Sequence, residues 1–211
     1  DADLGALQSL ERIHESNESW SELIEVLQRQ AAVEYDPESV VRLKYRVANL
    51  WEQSGDAIQA VEAYRDVLTV EQTHGPSLDA LERLYQNLEK WHELLDIYDL
   101  QLTLAESAEA QVEIHAKMSI VYEEQFQDKD RAIESYNRAL MADPNFVGGI
   151  IELERLYQEQ ERWSELVEAY ERHVAVLSDD ADKATIYQSM GIVYRDCLGE
   201  VYRAIESFQR I

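Results

Sequence analysis

Apolar residues recur at steps of three and four along most of this 211-residue chain, which is the spacing that one face of an α-helix requires. One such stripe consists of Leu78, Leu81, Leu84, Tyr85 and Leu88. A second stripe begins at Trp91, after a short polar break. No stretch shows the sustained alternation of polar and apolar residues that is typical of a half-buried strand. The pattern predicts an all-α fold with about twelve helices.

The pattern itself repeats with a period of about 72 residues. The sequence Leu-Glu-Arg-Leu-Tyr at 81–85 returns at 153–157 and more loosely at 10–14, and a tryptophan follows each copy. A second motif, Ala-Val-Glu-Ala-Tyr at 60–64, has related copies at 132–136 and 204–208. Two kinds of repeat therefore alternate three times. We predict six helix-turn-helix repeats, at approximately 3–36, 37–74, 75–108, 109–144, 145–180 and 181–211.

Turn-forming residues fall between the predicted helices. Pro37 and Pro144 each follow an aspartate and Pro76 follows a glycine, so all three prolines are predicted to occupy first helical positions. Gly55 and Asp56 predict the end of one helix and the N-cap of the next.

In the even repeats a small residue precedes an aromatic by three positions, and an alanine later precedes a second aromatic by four. The fourth repeat has Ser119, Tyr122, Ala132, Tyr136, Ala139 and Pro144 at the characteristic positions. The second has Ala48, Trp51, Ala60 and Tyr64, and the sixth has Gly191, Tyr194, Ala204 and Phe208. With these residues the chain resembles the tetratricopeptide repeat (TPR) family, whose helix-turn-helix unit has about 34 residues.

The odd repeats depart from the family pattern at two points where the helices approach closely. They carry Glu11, Glu82 and Glu154 in place of a small residue, and Leu23, Leu94 and Leu166 in place of alanine. We expect these larger side chains to push the two helices apart or to change their angle. The resemblance thus covers the whole chain, with divergent repeats alternating with near-consensus repeats.

The resemblance implies a right-handed superhelical α-solenoid, with first helices lining a concave groove and second helices on the convex side. Each hairpin of such an array must stack on its neighbours to bury its apolar surface. Because Asp1 opens almost directly into the first repeat, and the last repeat stops at Ile211 with no polar capping helix after it, we expect a segment of a longer array, or association through the open repeats.

Charge and composition restrict the partners. The chain has 43 acidic and 19 basic residues, a net charge of −24, whereas nucleic-acid binding relies on a basic surface. No run approaches the roughly 20 apolar residues that span a bilayer. We predict a protein or peptide partner of unknown identity, with no nucleic acid and no membrane insertion, and self-association through the end repeats as a further option. The location is left open, with the cytoplasm favoured.

Candidate chemistry is sparse in the sequence. Cys197 is the single cysteine, and none of the five histidines has a second ligand at the spacing of a metal site. His14 aligns with Tyr85 and Tyr157, and His173 aligns with Gln30 and Gln101, which favours packing roles. The repeated tryptophans Trp20, Trp91 and Trp163 are interpreted as core or inter-repeat residues at the start of second helices. We predict no metal, no cofactor and no catalytic residues, and therefore no enzyme.

The implied groove selects one face of each first helix. The candidate peptide-binding residues are Arg12, Arg42, Tyr45, Asn49, Arg83, Asn87, Ile120, Ile151, Arg155 and Ile192. Arg12, Arg83 and Arg155 recur once per period. They either donate hydrogen bonds to an extended peptide or bridge acids on adjacent helices and stabilise the repeat interface, and we favour the second interpretation. Tyr45 and the three isoleucines are the candidate apolar anchors.

Three functions remain open at this point. The leading hypothesis is a non-enzymatic scaffold that binds a peptide or protein partner in the concave groove. The second is a structural spacer or oligomerisation array that stacks through its uncapped repeats. The third is an RNA-processing scaffold, because half-repeat helical arrays occur in such proteins, although the net charge argues against it.

Overall fold

The computed structural model describes residues 4–211, and these residues form twelve α-helices. They confirm the predicted all-α fold and the predicted number of helices. The helices are α1 (Leu4–Ser16), α2 (Trp20–Val33), α3 (Pro37–Ser54), α4 (Ala57–Val70), α5 (Gly75–Asn87), α6 (Trp91–Leu104), α7 (Ala108–Glu124), α8 (Lys129–Ala142), α9 (Val147–Glu159), α10 (Trp163–Val176), α11 (Asp180–Asp196) and α12 (Val201–Gln209).

The chain divides into two compact halves, Asp1–Leu104 and Ala105–Ile211. The first half contains α1 to α6 and the second contains α7 to α12. Within each half every helix contacts the next one along the chain. Each half is therefore a stack of three helical hairpins, in which every hairpin packs against its neighbour.

The two helices of a hairpin contact each other more extensively in the even repeats than in the odd repeats. The even hairpins are α3–α4, α7–α8 and α11–α12, and the odd hairpins are α1–α2, α5–α6 and α9–α10. Their first helices are also longer, with 18, 17 and 17 residues against 13 in each odd repeat. Both differences agree with the expectation that larger residues at the close-approach points separate the helices of the odd repeats.

Each half has an apolar core of its own. In the second half one buried cluster contains residues of all five helices from α8 through α12, including Ile133, Leu153, Leu156 and Leu166. In the first half Leu23, Leu27 and Val47 pack together, with Trp51 partly buried against them. The leucine that replaces the family's alanine in the odd repeats is completely buried in all three copies, so it belongs to the core.

Two predictions about individual residues are wrong. Pro144 does not begin a helix: it lies in a turn where the Asp143 carboxylate accepts the Asn145 N–H at 2.9 Å, and α9 begins only at Val147. This local hydrogen bond competes with helix formation. Trp20 does begin α2, but it is 45% exposed and is not a core residue.

Side-chain N-caps mark the even repeats. Five aspartate or serine side chains accept a backbone N–H from the following turn, which satisfies donors that the helix itself leaves unpaired. They are Asp36, Asp56, Ser107, Asp128 and Asp179. The predicted cap is thereby confirmed, with Asp56 accepting from the Gln59 N–H at 3.1 Å.

The six hairpin turns use a common backbone device, one residue in the left-handed conformation. These residues are Glu18, Gly55, Glu89, Gln127, Glu161 and Gly199, with φ between 54° and 84°. Past this residue, a backbone N–H bonds to a carbonyl in the last turn of the preceding helix. The Lys90 N–H bonds to the Tyr85 carbonyl at 2.9 Å in this way. The device ends each first helix and reverses the chain.

We expect opposite effects from two substitutions in these turns. Gly55→Ala places a Cβ in the left-handed conformation and should lower the free energy of unfolding by about 1 kcal/mol. Glu89→Gly relieves the same strain and should raise it by up to about 1 kcal/mol. Urea denaturation followed by circular dichroism measures both changes. A change of the same sign in the free energy of unfolding for both variants would contradict the backbone strain assigned to the left-handed conformation.

Candidate functional site

The candidate binding residues of the first half lie on its first helices, α1, α3 and α5. Arg12, Arg42 and Asn87 are exposed, whereas Tyr45 and Asn49 are half-buried. The exposed three carry the donors that a partner could reach without any rearrangement of the helices.

Tyr45 and Asn49 are engaged by their own repeat and its neighbour. The Tyr45 ring lies 4.9 Å from the His74 ring and 5.8 Å from the Tyr64 ring, between centroids. The Asn49 amide donates to the Tyr45 carbonyl at 2.9 Å and accepts the Tyr64 hydroxyl at 3.0 Å. Both side chains therefore hold α3 against its neighbours.

Arg83 contacts the preceding repeat. Its guanidinium pairs with the Glu52 carboxylate of α3 at 3.2 Å. The other Glu52 oxygen accepts the Tyr64 hydroxyl at 2.6 Å. Burial and then the hydrogen bond to Glu52 raise the pKa of Tyr64 well above its ordinary value, so this hydroxyl stays protonated and donates at physiological pH.

Arg155 forms the corresponding bridge in the second half. Glu123, its main partner on α7, is the repeat equivalent of Glu52 and lies 2.7 Å away. Glu152 and Glu159 of α9 also bind the guanidinium, at 2.8 and 3.0 Å. The hydrogen bond to Glu123 is the largest of the effects that raise the pKa of Arg155. Arg83 and Arg155 thus bridge acids on adjacent helices, which are the contacts expected if these arginines stabilise the repeat interface.

The three candidate isoleucines are exposed on the first helices of the second half. Ile120 of α7, Ile151 of α9 and Ile192 of α11 are 48%, 47% and 41% exposed. Ile151 precedes Arg155 by one helical turn, and Ile120 precedes Glu123 by slightly less. The Arg155–Glu123 bond connects α9 to α7, and Ile151 and Ile120 each lie within about one helical turn of it.

A repeated polar pair in the odd repeats is absent from the sequence-based predictions. The glutamate at the close-approach point of each first helix binds a side chain 19 residues later, on the second helix. The pairs are Glu11–Gln30 at 2.7 Å, Glu82–Gln101 at 3.2 Å and Glu154–His173 at 2.7 Å. A glutamate followed after 19 residues by a polar residue within an apolar stripe is the signal that could have revealed them.

Glu154 and His173 form the most buried of these pairs. Their side chains are only 14% and 10% exposed. Burial raises the pKa of Glu154, and the hydrogen bond and charge of His173 act in the opposite direction. The first repeat has an additional partner, because Arg46 of α3 binds Glu11, and also Glu15 at 2.7 Å. The carboxylate that replaces a small residue is thus always satisfied by hydrogen bonds.

Grooves also lie between successive second helices. In the first half, a cavity of about 570 Å³ between α2 and α4 has Ala31, Ala32 and Ala63 in its lining. The Lys44–Asp66 ion pair, 2.8 Å long, also lines it. In the second half, a more polar cavity of about 440 Å³ separates α10 from α12. No sequence-based site residue lines either cavity.

Residues 4–211 contain no cluster of three or more His, Cys, Asp or Glu side chains arranged to hold a metal ion. Over the same residues, no helix combines the length and the apolar composition needed to cross a membrane.

Comparison with known proteins identifies the repeats. The family model described as tetratricopeptide repeat matches residues 6–41, 77–111 and 150–184, which together make up half of the chain. All three matches begin in the first helix of an odd repeat. No curated protein matches the chain significantly.

Three solved structures are similar to this chain over most of its length. A structure of MamA protein is 20% identical, with 81% of this chain and 88% of that chain covered and a TM-score of 0.46. A tetratricopeptide repeat protein from Parabacteroides merdae is 15% identical over 98% and 78%, with a TM-score of 0.47. YrrB, described as a TPR protein with an unusual peptide-binding site, is 14% identical over 80% and 82%, with a TM-score of 0.45. These scores are below 0.5, so the family assignment rests on the sequence match.

We expect His173→Gln to be tolerated, because Gln30 and Gln101 satisfy the equivalent glutamates. Its free energy of unfolding should lie within about 1 kcal/mol of the parent value. His173→Leu leaves the buried Glu154 carboxylate without its partner and should cost about 1–3 kcal/mol or more. Denaturant unfolding at neutral pH measures both variants. Similar losses for the two would contradict a role for the hydrogen bond.

A second expected outcome concerns pH. The ion pairs of Glu159 with Lys129 and Arg155 lower the pKa of Glu159 below its ordinary value of 4.5. Its contribution to stability is therefore present above pH 4.5 and is lost as the pH falls through the lowered folded-state pKa. The difference in melting temperature between the parent and Glu159→Gln should shrink in that acidic window.

Glu106→Gln is a suitable control for this measurement. It removes an exposed carboxylate that has no ion pair within residues 4–211. A difference for Glu159→Gln that stays constant from neutral to acidic pH would show that the ion pairs contribute nothing to stability.

Proposed function

Because the chain belongs to the tetratricopeptide repeat family, we propose that it is a non-enzymatic scaffold that binds a protein or peptide partner on the faces of its first helices. Structures of this kind expose a large surface relative to their core, and the repeats provide many positions for contact. The proposal concerns each half separately, since each half is a compact stack.

One observation carries the proposal, the exposure of isoleucines on the first helices of the second half. Ile120 and Ile151 each lie within about one helical turn of the Glu123–Arg155 bond and keep nearly half of their surface in solvent, although the core of the same half is well packed. Burying such side chains against a partner gives about 25 cal/mol per Å² of apolar surface. Val147, one turn before Ile151, extends the patch and is 37% exposed.

Arg155, the charged residue next to this patch, is assigned a structural role and not direct contact with a ligand. Arg155 already binds Glu123, Glu152 and Glu159, so few of its donors are free for a peptide. Its role in the proposal is to connect α9 to α7 through Glu123, close to both isoleucines. Preorganisation of this kind reduces the entropy that binding must overcome.

In the first half the corresponding positions are polar. Gln8, Asn49 and Asp79 replace the isoleucines at the equivalent positions of α1, α3 and α5. Arg12, Arg42 and Asn87 are among the exposed donors of that half, suited to carboxylates or backbone carbonyls of a partner. The net charge of −24 favours a protein or peptide over a nucleic acid.

The proposal predicts which peptides the chain selects. We expect a random peptide library displayed on phage to yield, against the 211-residue chain, peptides with at least two aliphatic or aromatic side chains. The double variant Ile120→Asp, Ile151→Asp should bind the selected peptides about tenfold more weakly or worse, because it places charges in the apolar patch. Fluorescence anisotropy with labelled peptides measures the affinities.

Met141→Asp provides the matched control, since Met141 is 83% exposed on the second helix α8, away from the patch. Circular dichroism verifies that all variants are folded. Peptides that bind the double variant and the control equally would refute the assignment of the binding surface to Ile120 and Ile151.

A further inference from the structure

A groove of about 730 Å³ lies between the second helices α4 and α6 in the interior of the first half. Residues from Glu62 to Thr69 line it on α4, and residues from Glu93 to Leu100 line it on α6. Each stretch is about two turns of helix, or about 10 Å, which is the length of about three residues of extended peptide. We refer to this cavity as the α4–α6 groove. Its length suits a short peptide segment.

Tyr85 of α5 also lines the groove, and its hydroxyl forms no hydrogen bond within residues 4–211. The residue is only 3% exposed. The charges of Arg65, Glu93 and Asp96, which line the same groove, act on the hydroxyl, so it lies among them. Burial raises the pKa of Tyr85, so the hydroxyl is protonated at physiological pH and its oxygen can accept an N–H. A buried hydroxyl that the protein leaves without a bond gains from a ligand that supplies one.

The equivalent tyrosine of the second half has a partner within the chain. The Tyr157 hydroxyl accepts the Asn137 amide of α8 at 3.1 Å. The equivalent of Asn137 on α4 is Arg65, whose side chain forms no hydrogen bond or ion pair within the described part of the chain. The unbonded hydroxyl is therefore a property of the α4–α6 groove and not of the repeat in general.

Acidic side chains line the groove on both helices. Glu62 and Asp66 lie one turn apart on α4, and Glu93 and Asp96 lie one turn apart on α6. Asp66 pairs with Lys44 at 2.8 Å. Glu62 and Asp96 form no ion pair with any residue that the structure describes. The groove thus carries negative charge that the first half does not neutralise.

Arginines neutralise the same positions in the second half. The glutamates equivalent to Glu62 and Glu93 are each bound by an arginine of their own helix or its N-cap. The pairs are Glu134–Arg138 at 2.6 Å and Glu165–Arg162 at 3.0 Å. A further arginine, Arg172, replaces Leu100. The two sister positions therefore differ in charge, and the α4–α6 groove is the one suited to a cation.

We propose that the α4–α6 groove binds a short basic segment of a partner protein, whose lysine or arginine side chain donates to the Tyr85 hydroxyl and pairs with the carboxylates of the groove. The methylene groups of such a side chain pack against Leu68 and Leu100, while its charged end lies among the acids. This site goes beyond the surface proposed above, because it lies between second helices of the first half and uses none of the exposed isoleucines.

Arg65 opposes a basic ligand at this site. It is the one base among the described residues that line the groove, against four carboxylates. Its side chain is exposed, so it can turn toward solvent when a cation binds. Removal of this charge should therefore strengthen binding, which gives the proposal a variant with a gain of affinity.

Fluorescence anisotropy with a labelled peptide tests the proposal at physiological ionic strength, where weak attraction by the net charge is screened. The probe is Lys-Leu-Lys-Leu-Lys-Leu, and Glu-Leu-Glu-Leu-Glu-Leu is its charge control. We expect the 211-residue chain to bind the first peptide saturably and not the second. The double variant Glu62→Gln, Glu93→Gln should bind about tenfold more weakly.

The matched control is Glu134→Gln, Glu165→Gln, which makes the same change at the equivalent positions of the second half. It should bind within about twofold of the parent, because those carboxylates are already paired. Equal weakening by the two double variants would show attraction by net charge alone and would overturn the proposal. No saturable binding by the parent chain at millimolar peptide would overturn it as well.

Tyr85→Phe isolates the hydroxyl. It should bind the peptide about fivefold more weakly and unfold at no lower denaturant concentration than the parent, because no bond within the described chain is lost. Tyr157→Phe should show the reverse, with parent-like binding and an earlier unfolding midpoint, since it loses the bond to Asn137. Arg65→Ala should bind about threefold more tightly. Parent-like binding by Tyr85→Phe, or weaker binding by Arg65→Ala, would contradict the assigned site.

Discussion

Each helical hairpin of this chain can bury only part of its apolar surface by itself, so the structure depends on contact between successive hairpins. The second half shows the consequence in one cluster, where apolar residues of α8, α9 and α10 form a continuous core. The ion pairs and hydrogen bonds that cross between repeats lie at the border of this core. Their contribution is modest at exposed sites, so the apolar contact dominates and the polar groups determine how the helices align.

The odd repeats solve a second problem, the presence of a carboxylate where helices approach closely. A buried acceptor without a donor costs about 1–3 kcal/mol, and a charge costs more. Each odd repeat supplies a donor 19 residues later on the second helix, from Gln30, Gln101 or His173. This arrangement explains why those three positions are polar within apolar stripes. The cost is a less extensive contact between the two helices than in the even repeats.

The sequence was sufficient to predict the helices, their number and the alternation of two repeat types, because periodic apolar residues report directly on which face is buried. It was sufficient for Gly55, whose missing Cβ suits the left-handed conformation. It could not predict the same conformation at Glu89, because the hairpin imposes it against the preference of the residue. It also failed at Trp20, which begins a correctly predicted helix but is 45% exposed. Pattern thus predicts which side of a helix is apolar, and it does not predict what lies against that side.

The same limit applies to the candidate binding residues, and it separates them into two groups. Asn49, Arg83 and Arg155 satisfy the criteria for binding a peptide by residue type, yet all three are bonded within the array. Arg83 and Arg155 donate to carboxylates on neighbouring helices, and the Asn49 amide donates to the Tyr45 carbonyl of its own helix and accepts the Tyr64 hydroxyl of α4. Polar residues on an inter-helix surface have such partners within reach, so their availability depends on packing that residue type does not reveal. Aliphatic residues such as Ile120 and Ile151 have no alternative of this kind, and their exposure is a direct consequence of position. Exposed apolar residues on adjacent helices are therefore a stronger basis for assigning a binding surface in a repeat array than a phased series of arginines.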